Sequence, residues 1–297
     1  MNIKKTKVKA IETILVLLVL ILSVFDLTPA KQDLYAATEN KESKNESLLK
    51  RLNHPSMKER LNALFEINET IDNHLLTEEI KERILHLAEA EHKSEESLSK
   101  GELGEQYQSQ LIAALGNTRD SRAVPYLLNY LGGGTAVARS LHKIGEPAID
   151  PLIKKLHDEV VGYRSSAAYA LGLYLKPEGE GYIAKGEIRE KIKQALLKEL
   201  KDPRNKEPEK SIAWYEVRAN ERAGVRRILV RGLGYIAETG DNDVLPIIKS
   251  AAVDDPYFLD MSKKKNYQGP QKRFVVREEA QKVLDGLKAK RIEKKEP

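Results

Sequence analysis

Two stretches of this 297-residue chain, GYRSSAAYALG at 162–172 and AGVRRILVRGLG at 223–234, share a spacing. In each an arginine precedes a Leu-Gly pair, and the arginine-to-glycine distance is eight residues, Arg164 to Gly172 and Arg226 to Gly234. Val276-Arg277 opens another copy with Asp285 at the glycine position. Gly116 and Gly145 end partial copies that carry Gln108 and Val137 in place of the arginine, and Met57 to Ile67 is a weaker one. A unit that recurs in this way cannot bury its apolar face alone, so the chain must stack its copies.

A second pattern interleaves with the first, with Pro125, Pro151 and Pro246 each set among apolar residues. Proline in the first turn of a helix costs no hydrogen bond and fixes the backbone there, so each marks a helix start. Apolar residues recur at three and four positions almost to the end, and sustained period-two alternation is absent. The reading is all-α, about six pairs of a helix A and a helix B: 46–52 with 56–67, 77–91 with 103–116, 121–131 with 135–145, 147–157 with 160–174, 187–201 with 215–238, and 242–252 with 273–288.

These residues carry a resemblance to HEAT repeats, in particular the PBS-lyase HEAT-like subtype, whose second helix reads valine-arginine, alanines, Ala-Leu-Gly. It covers most of residues 46–288 and is strongest from 105 to 238. The resemblance implies an armadillo-type, right-handed α-α superhelix, a HEAT-like solenoid. It also implies that Arg164, Arg226 and Arg277 are structural, each bonding an acid or a carbonyl of the adjacent repeat; Asp158, Asp202 and Asp254 are the acids nearby in sequence. Small residues such as Ala167, Ala168 and Ala170 permit close helix approach, and Gly172 and Gly234 are expected to stop their helices.

The amino terminus reads as an address. Lys4, Lys5, Lys7 and Lys9 precede the apolar run Ile14 to Val24, which is short of the roughly 20 residues of a membrane span and suits a signal peptide. Residues 1–36 are therefore expected to be an export signal, with an uncleaved membrane anchor as the alternative, and 37–45 a polar tether. The solenoid follows over 46–288, then a charged tail over 289–297. Losing residues 1–36 removes five lysines and three acids and takes the formal charge from +5 to +3, which is too modest to argue for a polyanion partner.

Where the repeat is interrupted, binding residues collect. The A-to-B connections are long in pairs two, five and six (92–103, 202–214 and 254–272), so three insertions share one edge of the solenoid. A further insertion, Lys176 to Gly186, lies between pairs four and five on the opposite edge. Trp214, Tyr215, Arg218, Arg222, Tyr257, Phe258 and Tyr267 are the candidate protein contacts, because aromatics beside positive charge are what interfaces use. A plug for the end of the core is the competing role for the aromatics. An anionic polymer or membrane surface is the alternative partner, met through Arg218, Arg222, Arg227, Arg231 and Lys263 to Lys265, though the interspersed Glu216 and Glu221 favour a paired face. Nucleic acid is disfavoured by the export signal and the small charge.

Catalytic chemistry finds no motif. The chain has no cysteine, which excludes disulfides, thiolate metal sites, cysteine nucleophiles and a lipid-anchor cysteine. None of its six histidines belongs to HExxH; Glu82 and His86 are a weak pair on one helix face, and His157-Asp158 does not replace the His-Glu dipeptides of HEAT-repeat hydroxylases. Phosphate-loop, dinucleotide and GxSxG signatures are absent. The expectation is a non-enzymatic protein with no catalytic residues, cofactor or metal, and a protein partner.

Overall fold

The computed structural model describes residues 42–70, 76–93, 101–178, 181–206, 212–213, 220–255, 258–261, 268–270 and 272–293. Local chemistry sets the helix boundaries. Residues 42–52 form α1, followed by α2 (Met57–Thr70). The Thr77 hydroxyl accepts from the Ile80 amide at 3.4 Å and caps the start of α3 (Glu78–Lys93). Helix α4 (Glu102–Thr118) stops at Arg119, which is left-handed with φ 53°. Asp120 then accepts from the Arg122 amide and starts a 3-10 turn that leads into α5 (Val124–Asn129), with Pro125 in the first turn. Helix α6 (Thr135–Ile144) ends at Gly145, whose φ of 93° favours glycine, and a turn through Pro147 leads into α7 (Ile149–Lys155).

Helix α8 spans Val161–Leu175 and ends where Lys176 turns extended ahead of Pro177. After it come α9 (Gly186–Lys201), a short α10 (Pro203–Lys206) and α11 (Asn220–Glu238). Asp241 accepts from the Asp243 amide to start the turn into α12 (Leu245–Asp254), again with a first-turn proline, Pro246. Helix α13 (Val275–Glu293) closes the array.

Among the described residues the helices form six pairs, α1/α2, α3/α4, α5/α6, α7/α8, α9/α11 and α12/α13. The B helices α2, α4, α6, α8, α11 and α13 pack each against the next, and each of the later A helices lies against its own B helix. One contiguous core of buried leucine, isoleucine, valine and alanine runs from Leu48 to Leu287. The molecule is all-α, a solenoid in which each pair buries the face of its neighbour.

The repeated glycines differ from expectation. Helix α8 continues three residues past Gly172 and α11 four past Gly234, and neither glycine has positive φ. They are close-approach residues: a side-chain carbon on Gly234 would stand 2.7 Å from Val283, one on Gly116 2.6 Å from the Ser140 backbone, and Gly172 faces Gly232 across the tight α8–α11 contact. The Leu-Gly pair thus marks where one B helix touches the next, and the helix ends elsewhere.

Both ends of the solenoid are also longer than expected. Residues 42–45 are helical, with Lys44 reaching Glu66 at 3.7 Å, and α13 runs through Glu293, tied back where Lys290 donates to Glu238 at 2.9 Å. The signal and the rest of the tether lie outside the described residues. No helix among the described residues is long and apolar enough to cross a membrane.

The insertions of pairs five and six are joined. Strand β1 (Ile212–Ala213) pairs in parallel with β2 (Leu259–Asp260), which pairs antiparallel with β3 (Lys272–Arg273), Leu259 opposite Arg273. Strands of two residues leave no alternation in a sequence.

Candidate functional site

The edge that carries the insertions is built on a ladder of arginines, one near the start of each of four B helices. Arg164 Nη1 donates to the carbonyls of Asp158 and Glu159 at 2.9 and 3.1 Å, closing its own A-to-B turn. Its Nη2 donates to Asn205 Oδ1 at 3.3 Å, and Nε lies 3.7 Å from Glu199 at the end of the next pair's helix A. Arg226 repeats the arrangement one pair on: Nη1 donates to the Leu200 carbonyl at 3.1 Å, while Nε (2.9 Å) and Nη2 donate to Asp255 Oδ2. Arg277 donates to the Asp255 carbonyl at 2.7 Å.

Arg60 is a fourth rung that the spacing did not single out. It stands at the same helix position in α2 as Arg164 in α8, and Nη1 donates to the carbonyls of His54 and Pro55, both at 2.8 Å. Burial pushes the Glu91 carboxyl above its ordinary range, opposed by the Arg60 charge across the pair-one/pair-two boundary. Asn68 occupies its glycine position and bonds Gln110 and Asn117 of the next B helix, which hides the motif. The acids also differ from those nearest in sequence: Asp158 offers its carbonyl, Asp202 is held by Arg204, and Asp255 rather than exposed Asp254 receives Arg226.

Of the expected protein contacts, Phe258 is described. It is half-buried against β3 and Phe274, with ring centroids 5.6 Å apart. Lys272 Nζ stands 4.7 Å from the Phe258 ring and the Arg277 guanidinium 4.1 Å from the Phe274 ring, a cation-aromatic stack that fixes the sheet to the start of α13. Trp214, Tyr215, Arg218, Tyr257 and Tyr267 lie outside the described residues, as do Lys263 to Lys265; Arg222 sits on α11 with its side chain outside them. Arg227 is exposed. Arg231 forms a two-pronged pair with Glu279 on α13 at 2.7 and 2.9 Å. Burial alone would raise the Glu279 carboxyl, but the Arg231 hydrogen bonds and charge hold it below its ordinary value.

On the opposite edge the Lys176–Gly186 insertion folds back onto the end of α6. His142 Nε2 stands 3.0 Å from the Tyr182 carbonyl, and the Tyr182 amide donates back to the His142 carbonyl at 3.4 Å. Tyr174, fully buried, donates to the carbonyls of Leu141 and Gly145 at 2.6 and 3.1 Å, its ring edge-on to His142. Burial lowers the His142 pKa from its ordinary value and raises that of Tyr174.

A cluster that sequence reading passed over lies beside the arginine ladder. His157, in the turn after α7, places Nδ1 3.1 Å from Oε2 of Glu199 on α9, and an oxygen of Asp202 lies with them within 4.8 Å. Glu199 is fully buried, Asp202 half-buried and the His157 side chain 37% exposed. The dipeptide His157-Asp158 was the visible feature; the residues that face His157 are some forty positions on, in the next pair. Glu82 and His86, the other pair weighed, separate, with Glu82 paired to Arg122 at 2.6 Å and His86 beside Glu89 at 3.7 Å.

No family model and no curated protein matches the chain. Among solved structures it is similar to two crystal structures of engineered proteins from the Northeast Structural Genomics Consortium. Both are 16% identical over 82% of this chain, covering 98% and 96% of their own chains, with TM-scores of 0.42 and 0.33.

Proposed function

We propose that the chain is an exported HEAT-repeat scaffold of the PBS-lyase HEAT-like subtype, non-enzymatic, that binds another protein through its insertion-bearing edge and the adjoining face of the B helices. The observation that carries this reading is the joining of two insertions, 202–214 and 254–272, by one small sheet outside the repeat ladder. Segments that the stacking does not need have been gathered on one edge, and a rigid array that presents such segments suits recognition of a macromolecule. The links from Arg164 to Glu199 and from Arg226 to Asp255, each an acid of the following pair, support the subtype.

The test is recovery of a partner from envelope and secreted fractions by the full chain, compared with Trp214→Ala and Tyr257→Ala. A specific partner lost with either substitution supports the edge as the contact; recovery unchanged by both removes it. The anionic-surface reading loses one of its cations, since Arg231 is engaged by Glu279. Salt separates the two: a polyanion contact weakens steeply between low and moderate ionic strength and an apolar contact does not.

A further inference from the structure

We propose that His157, Glu199 and Asp202 form a binding site for a divalent transition-metal cation, of which zinc fits best. The donors come from two consecutive pairs: His157 from the turn between α7 and α8, Glu199 from the last turn of α9, and Asp202 immediately after it. An ion held there would bridge one repeat boundary, independently of any protein partner.

One ligand atom from each of the three residues lies within 4.8 Å of the other two. His157 Nδ1 and Glu199 Oε2 stand 3.1 Å apart, yet Oε2 is buried and accepts no hydrogen bond. A cation held beside the two would give Oε2 the partner it lacks and would use the Nδ1 lone pair at the same time. Ligands about 2.0–2.2 Å from a tetrahedral zinc stand about 3.3–3.6 Å from one another, so the 3.1 Å between Nδ1 and Oε2 would open by a few tenths of an ångström on binding.

The outer contacts suit the same role. Glu199 Oε1 accepts from Asn205 Nδ2 at 2.6 Å and lies 3.7 Å from Arg164 Nε, which leaves Oε2 as the oxygen turned to His157. Arg204 fixes the Asp202 carboxylate, donating its amide (2.8 Å) and Nε (3.1 Å) to Oδ1 and its Nη2 (2.8 Å) to Oδ2, and holds that carboxyl below its ordinary pKa. Ligating carboxylates are commonly anchored in this way. The same two guanidiniums oppose the metal's charge, so binding should be weaker than at a thiolate site.

His157 is the member of the cluster that reaches a cavity, of about 920 Å3, whose wall also includes Pro151, Lys154, Lys155 and Glu159; Glu199 and Asp202 are not on that wall. One imidazole with two carboxylates favours a borderline first-row ion over magnesium or calcium, which take oxygen alone.

The experiment uses the full chain at neutral pH, with Zn2+ titrated against a colorimetric zinc chelator and Co2+ read by visible absorption. The expected result is one Zn2+ per chain, weakened about tenfold or more by His157→Ala and by Asp202→Asn, and unchanged by His86→Ala, a histidine away from the cluster. Helical circular dichroism checks each variant, and Zn2+ should raise the thermal midpoint of the parent but not of His157→Ala. Should either variant lose its helicity, the parent alone decides, because Zn2+ must shift the imidazole 15N signals of a single histidine. No Zn2+ uptake by the parent, no histidine shift, or equal affinity in His157→Ala and the parent overturns the site and leaves a direct contact between His157 and Glu199.

Discussion

Replacing Arg226 by methionine should uncouple the last helix pair from the rest of the array. Asp255, 3% exposed, receives both Nε and Nη2 of Arg226, and the guanidinium also satisfies the Leu200 carbonyl. Methionine keeps the apolar stem and removes every one of those donors. Removing one partner from a buried pair costs about 3–5 kcal/mol, because the buried carboxylate loses its guanidinium. Arg226→Met with Asp255→Asn together should recover most of that loss, since both charges then leave. The pair joins α11 to the end of α12, so the damage falls on one boundary of a one-dimensional stack. The assay is amide hydrogen exchange along the chain. Amides of α12 and α13 should exchange faster by about two orders of magnitude, the factor that 3 kcal/mol implies, while those of α4 stay unchanged. A cost below about 1 kcal/mol, the value of an exposed pair, or uniform acceleration through all six pairs would refute the reasoning.

Gly234→Ala should destabilise by about 1–3 kcal/mol in urea unfolding, because its new carbon meets β-branched Val283 at 2.7 Å. Gly224→Ala on the same helix, whose new carbon meets, among the described residues, the Ser165 hydroxyl at 3.6 Å, should be neutral or stabilise by up to about 1 kcal/mol. Tyr174→Phe removes a hydroxyl donor from two carbonyls that each keep a backbone amide and should cost about 0.5–1.5 kcal/mol, seen as a lower thermal midpoint. The folded-state pKa of His142 is lowered, so the unfolded chain binds its proton first. Its contribution is therefore present above the ordinary imidazole value of 6.5 and is lost as pH falls below it. The depressed carboxyls Asp202, Asp241 and Glu279 add a second loss at more acid pH. The slope of stability between neutral pH and the carboxylate range should flatten in His142→Phe; an unchanged slope removes His142 as its source.

The stack was legible because its repeated residues do repeated work. First-turn prolines start α5, α7 and α12 as their spacing predicts, and Arg164 and Arg226 perform the same bonds one pair apart. The glycine was legible as a repeat and misread as a helix stop, since a missing side chain serves a turn or a close approach equally and the sequence does not say which. The longer ends escaped for another reason. Charged residues such as Lys44 and Lys290 carry no apolar period, and their partners Glu66 and Glu238 lie on other helices.

The His157 cluster shows why a solenoid hides its sites. In a stacked array each residue's spatial neighbours lie either a turn away or one pair away, and only the second kind assembles unlike chemistry. Arg164 and Glu199 form such a pair at the α8–α9 boundary, and an equivalent pair recurs at Arg226 and Asp255, which makes that position structural by repetition. His157, Asp202 and Arg204 contribute to it at the pair-four boundary, where Asp202 and Arg204 open the long insertion of pair five. The insertion thus supplies Asp202 to a Glu199 already buried by the repeat, while His157 comes from the short turn of the pair before. Three ordinary residues become a ligand set through the stacking itself, and no spacing along the chain could announce them.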